Sequence, residues 1–180
     1  MLRRLLVFTD AVDALTEWIG QWLKWLVLFA SLISAFNALM RYTIHYSSNA
    51  WLEIQWYMFG AMFLIGAGYA LKHEEHVRVD VLFSKMTPKQ QAWLDVFGGI
   101  FFLMPMAIII GWLSIPMVIN SFRIWEHSND PGGLLRWPIK IVIPIGFALL
   151  AVQGVAEIIK KYAIATGVRE PGKAYERPVQ

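Results

Sequence analysis

The chain has no cysteine. That excludes disulfides, thiolate metal sites, haem attached through cysteine and iron–sulfur clusters together. It is also poor in charge, with 16% Asp, Glu, Lys and Arg among 180 residues against 57% apolar ones. A soluble domain carries about 25% charged residues. No internal repeat recurs at a fixed period, which gives no support to the paired halves of a self-sufficient transporter. No glycine loop of the phosphate-cradling type occurs. No basic surface interleaved with aromatics suggests nucleic acid.

What is present points to a bilayer. Nine tryptophans and 14% aromatic residues suit the membrane interface. A hydrocarbon core of ~30 Å takes roughly 20 apolar residues in a helix. Four stretches meet that length, at about 22–40, 54–71, 92–118 and 139–159. The expected fold is therefore an all-α integral membrane protein with four transmembrane helices. Residues 1–160 form one four-helix membrane domain and 161–180 a cytoplasmic tail. The third stretch is long enough that it should tilt or protrude.

Residues 5–21 precede the first span. Leu5, Phe8, Val12, Leu15, Ile19 and Trp22 recur every three or four positions, with Asp10, Asp13, Glu17 and Gln21 opposite. The simplest reading is an N-terminal amphipathic helix lying in the interface. A straight extension of the first span is the alternative. Asp10, Asp13 and Glu17 would interrupt the apolar core of a signal peptide.

Lysine and arginine set the orientation. Arg3, Arg4, the middle loop (Lys72, Arg78, Lys85, Lys89) and the tail (Lys160, Lys161, Arg169, Lys173, Arg177) lie on the N-terminal side. Only Arg41, Arg123, Arg136 and Lys140 fall opposite, while Lys24 sits inside the first span and can snorkel. The positive-inside rule puts both termini in the cytoplasm.

Local signals agree with the spans. Thr87-Pro88-Lys89-Gln90 predicts a capping box opening the third helix. Trp137-Pro138 opens the fourth in a similar way. Pro105, Pro116 and Pro144 should bend their helices. Gly60, Gly66, Gly98, Gly99, Gly146 and Gly154 read as sites of close helix packing.

The span centres, around Met62, Met106 and Leu149, are apolar. Ionisable groups at the midplane are costly and mark substrate or ion paths. Glu53, Asp95, Glu126 and Glu157 all lie near span ends, and Asn37 and Gln153 suit hydrogen bonding between helices. The chain reads as a scaffold without a path of its own and without catalytic residues.

The densest polar segment is Leu71 to Phe83. His73 and His76, with Glu74, Glu75 and Asp80, are permissible metal ligands. Their spacing is not that of the helical His-Glu-x-x-His site. A solvated loop that fixes orientation is the plainer reading, and a weak His/Glu metal site at the cytoplasmic rim is the alternative.

The order of residues says more. Glu-His-Val-Arg-Val-Asp-Val-Leu at 75–82 follows Gly-Ala-Gly-Tyr-Ala-Leu at 66–71. Trp51-Leu52-Glu53 begins the second span, Trp93-Leu94-Asp95 the third, and Asp130-Pro131-Gly132-Gly133-Leu134-Leu135-Arg136-Trp137-Pro138-Ile139-Lys140 leads into the fourth. Together these motifs resemble the small membrane (Q-type) subunit of tripartite ATP-independent periplasmic (TRAP) transporters, over about 51–157. The first span fits by position only, and Leu135 stands where many relatives have proline.

The resemblance implies a multi-pass protein of a bacterial or archaeal inner membrane. It implies a non-catalytic scaffold that packs against a large elevator-type subunit, in sodium-coupled symport of an organic acid delivered by a periplasmic binding protein. The expected partners are those two proteins and membrane lipids, with no nucleic acid, no cofactor and no metal. The candidate structural or contact residues are Glu53, His76, Arg78, Asp80, Asp130, Gly132, Gly133, Arg136 and Trp137. Arg78 and Asp80 would order the middle loop by mutual pairing, by capping a short helix, or by contacting lipid phosphate or a partner. Glu53 is expected to cap its own helix, or else to bind a cation on the large subunit. Asp130 to Gly133 reads as a turn, and the outer loop as a contact with the large subunit or the binding protein.

Overall fold

The computed structural model describes residues 2–73 and 86–169. Four helices make up the bundle: α1 (Leu2–Thr43), α2 (Asn49–Lys72), α3 (Pro88–Arg123) and α4 (Trp137–Ala165). All four are long and apolar enough to cross a membrane. Among the described residues there is no strand beyond one isolated bridge, between His127 and Leu135. The expected all-α, four-span architecture is the one observed.

α1 is a single helix of 42 residues, about 63 Å long at 1.5 Å per residue. The amphipathic segment 5–21 is helical as expected, but it continues straight into the first span with no break. The reason lies in its polar face. Asp13, Thr16 and Glu17 reach side chains of α2 and α4, so packing holds the segment in line with the bundle. Gly20 allows the approach, since a Cβ there would lie 2.1 Å from the Tyr69 ring.

Helix ends follow the local chemistry. Ser48 caps α2 by accepting from Ala50 N at 3.3 Å. At α3 the capping box is complete: Thr87 N donates to Gln90 Oε1 at 2.9 Å and Gln90 N to Thr87 Oγ1 at 3.4 Å. α3 closes with Glu126 N on Ser121 O and Trp125 N on Phe122 O, which places Trp125 in the left-handed region at φ +48°. α4 closes the same way on Gly167, at φ +75°.

Pro105 does more than bend α3. It follows a π-helical turn, Gly99–Leu103, in which Met104 N bonds back to Gly99 O. The wider turn relieves the clash a proline ring makes with the carbonyl four residues earlier.

α4 is the central helix and packs against α1, α2 and α3. In its most apolar window 28% of residues are buried, against 6–11% in the other three. Gly146 sets its closest approach to α2, since a Cβ there would meet Leu64 O at 2.7 Å. Large apolar side chains such as Trp112, Leu113 and Phe63 point outward. In water that would be untenable; against lipid it is the expected surface.

Candidate functional site

Polar residues collect at the two ends of the bundle. Lys140 and Glu157 on α4 mark them, 17 residues or about 25 Å apart, a little less than the ~30 Å of a hydrocarbon core.

The end opposite the chain termini is built around Glu53. This carboxylate sits in the second turn of α2 and is 1% exposed. Ser128 Oγ and the backbone N–H of Leu134 both donate to it, the latter at 2.7 Å. Arg136 lies 3.5 Å from its Oε1 and also donates to Ser128 Oγ, at 2.9 Å. Glu53 therefore does not cap its own helix, a task Ser48 performs, and its oxygens are turned onto the loop of its own chain. The helix position explains this. Four residues beyond Asn49, a side chain has left the helix end and points sideways, onto the segment that precedes α4.

That segment is held at several further points. Ser128 N donates to Leu134 O at 2.9 Å and Arg136 N to Glu126 O at 2.7 Å. Tyr57 donates its hydroxyl to Leu135 O at 2.7 Å. Asn49 donates to Pro131 O at 2.9 Å. Asp130 to Gly133 is the expected turn, closed by Gly133 N on Asp130 O at 3.0 Å with Gly132 at φ +73°. Gly133 is required by space: a Cβ would fall 2.5 Å from Ser128 Cβ and 2.9 Å from Glu53 Oε1. Trp137 opens α4 with its ring edge-on to Phe122, centroids 5.3 Å apart.

Lys140 forms an ion pair with Glu126 at the foot of the loop. The hydrogen bond from Lys140 holds the Glu126 carboxyl below the usual carboxylate range. The outcome is a tethered loop whose tip, 129–132, remains exposed.

The structure thus brings Glu53, Gly133 and Arg136 into one network and sets Asp130 and Gly132 at the tip. His76, Arg78 and Asp80 lie outside the described residues. Sequence reasoning missed Ser128, Tyr57 and Asn49 as tether points. Polar residues flanking a turn were their only signal.

The terminal end holds a second network. Lys160 of α4 bonds Asp13 of α1 at 2.8 Å and Glu157 at 2.6 Å. Gln153, fully buried, donates to Asp13 and Glu157 and accepts from Thr16 at 2.7 Å. Lys72 of α2 bonds Glu17 at 2.6 Å and Asp13 O at 3.0 Å. His73 Nε2 also meets Glu17, at 3.0 Å, with its ring tilted against that of Tyr69, centroids 4.3 Å apart. Lys161 pairs with Asp95 of α3 at 3.3 Å. Among the described residues, no group of three or more His, Asp or Glu could hold a metal ion.

Neither network is arranged for bond-making chemistry. Each ties helices, and a loop, into a fixed relation. Comparison with curated proteins and with solved structures returned no match. Residues 30–163 match the family described as tripartite ATP-independent periplasmic transporters, DctQ component. The match takes in the last third of α1, the whole of α2 and α3 and nearly all of α4, so the Glu53 network lies within it, while Asp13, Thr16 and Glu17 of the terminal network precede it. This four-span chain belongs to the DctQ-component family of tripartite ATP-independent periplasmic transporters.

Proposed function

We propose that the chain is the stationary small subunit of a complex in which a much larger membrane protein carries the substrate. Both termini are cytoplasmic and the tethered loop faces outward. Uptake by the complex is driven by sodium and supplied by a periplasmic binding protein with an organic acid. One observation carries the scaffold reading: the charged side chains of the described bundle gather at its two ends. Lys24, exposed on α1 two turns beyond Glu17, is the exception, and its long stem can reach the headgroups. A helix bundle without midplane charges offers no steps for an ion or a carboxylate.

In this arrangement the loop tip, Asn129 to Gly132, is a contact for the large subunit or the docking binding protein. A tether of the Glu53 kind lowers the entropy lost when a loop is captured by a partner. The apolar outer faces of α1 and α3 supply area for the membrane partner.

Affinity purification of the tagged chain from its native membrane in mild detergent tests this, with mass spectrometry of what accompanies it. A stoichiometric, larger multi-span protein is expected. A chain that purifies alone and transports an organic acid in liposomes would overturn the scaffold reading. A reporter fused after Gln180 that works only outside the membrane would reverse the orientation. Full assembly and uptake with Asp130→Lys would remove the loop tip from the contact.

A further inference from the structure

At the terminal end, a cleft of about 280 Å³ opens between α2, α3 and α4. Leu71, Leu94, Gly98, Leu103, Gly154 and Ile158 make its apolar wall. The ion pair of Asp95 and Lys161 lines it at the level of the polar rim. From Lys161 to Gly154 it follows α4 inward for about 10 Å. It thus begins among charges and ends among hydrocarbon.

The glycines have different roles here. A Cβ at Gly99 would strike Ile158 at 2.6 Å, and one at Gly154 would meet Leu103 at 3.0 Å, so those two let α3 and α4 touch. A Cβ at Gly98 would meet nothing within 4 Å. Gly98 brings no helix closer; it leaves the cleft open. The π-helical turn that begins at Gly99 widens α3 just beyond it.

The dimensions and the chemistry narrow the occupant. A transmembrane helix is 10–12 Å across with its side chains, and a volume of about 280 Å³ is too small to hold one. Water does not fill a space with so few polar partners. A stretch of hydrocarbon chain fits both the volume and the wall. At the rim, Lys161 offers a donor for phosphate, while Asp95 repels an anionic headgroup and attracts an ammonium; the neighbouring Glu157 is already engaged by Lys160 and Gln153.

We propose that this cleft holds one acyl chain of a zwitterionic phospholipid, phosphatidylethanolamine, with its phosphate toward Lys161 and its ammonium toward Asp95. The lipid completes the wall between α2, α3 and α4 and seals the bundle at that rim. The inference requires only a bilayer around the chain and stands whether or not a larger subunit is bound.

Native mass spectrometry of the purified full chain tests it, with phosphatidylethanolamine and phosphatidylglycerol supplied in equal amounts. One retained phosphatidylethanolamine is expected, preferred over phosphatidylglycerol by roughly tenfold. Gly98→Leu places its side chain in the cleft, and leucine is also the better helix former. Retention should then fall about tenfold, with circular dichroism unchanged. The double variant Asp95→Asn/Lys161→Gln leaves the apolar wall intact and should abolish the headgroup preference while a chain is still held. Equal retention of both lipids by the unaltered protein would overturn the proposal. So would undiminished retention in a folded Gly98→Leu, or a preference that survives the double variant.

Discussion

The carboxylate of Glu53 accepts the backbone N–H of Leu134 at 2.7 Å, across 81 positions of sequence. One helix thereby holds the chain that leads into another. An unpaired loop at a bilayer surface would sample many conformations, and fixing each residue costs about 1–2 kcal/mol. A buried anion that several donors converge on offsets part of that cost, because charge-assisted hydrogen bonds are the stronger kind. The tether explains why an acid sits at the start of a span, where it would otherwise be expensive.

Replacing Glu53 with alanine should be among the most damaging single changes in the chain. It strands Ser128, Leu134 N and Arg136 without their acceptor, at a cost of about 1–3 kcal/mol. Thermal unfolding in detergent should show the loss. Limited proteolysis should show cleavage within 124–136 that the unaltered protein resists. If Glu53→Ala unfolds at the same temperature and its loop resists protease equally, the tether has no energetic weight.

The two glycines of the turn should fail for different reasons, which separates space from backbone. Gly133→Ala drives a methyl into Ser128 and Glu53 and should cost about 1–3 kcal/mol by overpacking. Gly132→Ala meets no neighbour and pays only for its left-handed backbone, about 1–2 kcal/mol. Asparagine tolerates that backbone better, so Gly132→Asn should recover most of the stability and Gly133→Asn none. Equal recovery at both positions, measured by thermal unfolding, would refute this division.

The fold was legible because a bilayer makes length and apolarity decisive. Four stretches of sufficient length gave four helices, and Thr87 with Gln90 gave a capping box that needs no tertiary context. The relations between helices were not legible. Asp13 and Glu17 fall on the polar side of an amphipathic pattern whether they face headgroups or pair with Lys160 and Lys72, and only packing distinguishes the two. Glu53 misled in the same way. An acid near a helix start reads as a cap, while its actual partners lie on a loop more than seventy residues later. Gly98 looked like Gly99 in sequence, yet only the latter touches another helix.

Acid should loosen the foot of the loop. Glu126 is held ionised by Lys140, so its folded pKa lies below its unfolded one, near 4.3. Its contribution is present above that unfolded value and fades as pH falls through the lower folded value. Unfolding temperature should therefore be flat from neutral pH to about 5 and drop more steeply below about 4. Glu126→Gln should flatten part of that acid limb while lowering stability slightly at neutral pH. A variant whose acid limb overlays that of the unaltered protein would show that the Lys140 pair does not couple to folding.

At the other end, Asp13→Ala should free the N-terminal half of α1 without dissolving the spans. Asp13 receives Lys160 and Gln153, and its loss leaves Lys160 with Glu157 and a buried amide short of a partner. About 1–3 kcal/mol of local stability should go. Because residues 5–21 stay helical by their own periodicity, circular dichroism should scarcely change. The distance between spin labels at Trp18 and Tyr162 should broaden, reporting a segment that swings toward the interface. A double-mutant cycle with Lys160→Met should return a coupling of about 1 kcal/mol or more. Independent effects and an unbroadened distance would mean that apolar packing alone, through Val12 and Gly20, keeps α1 straight.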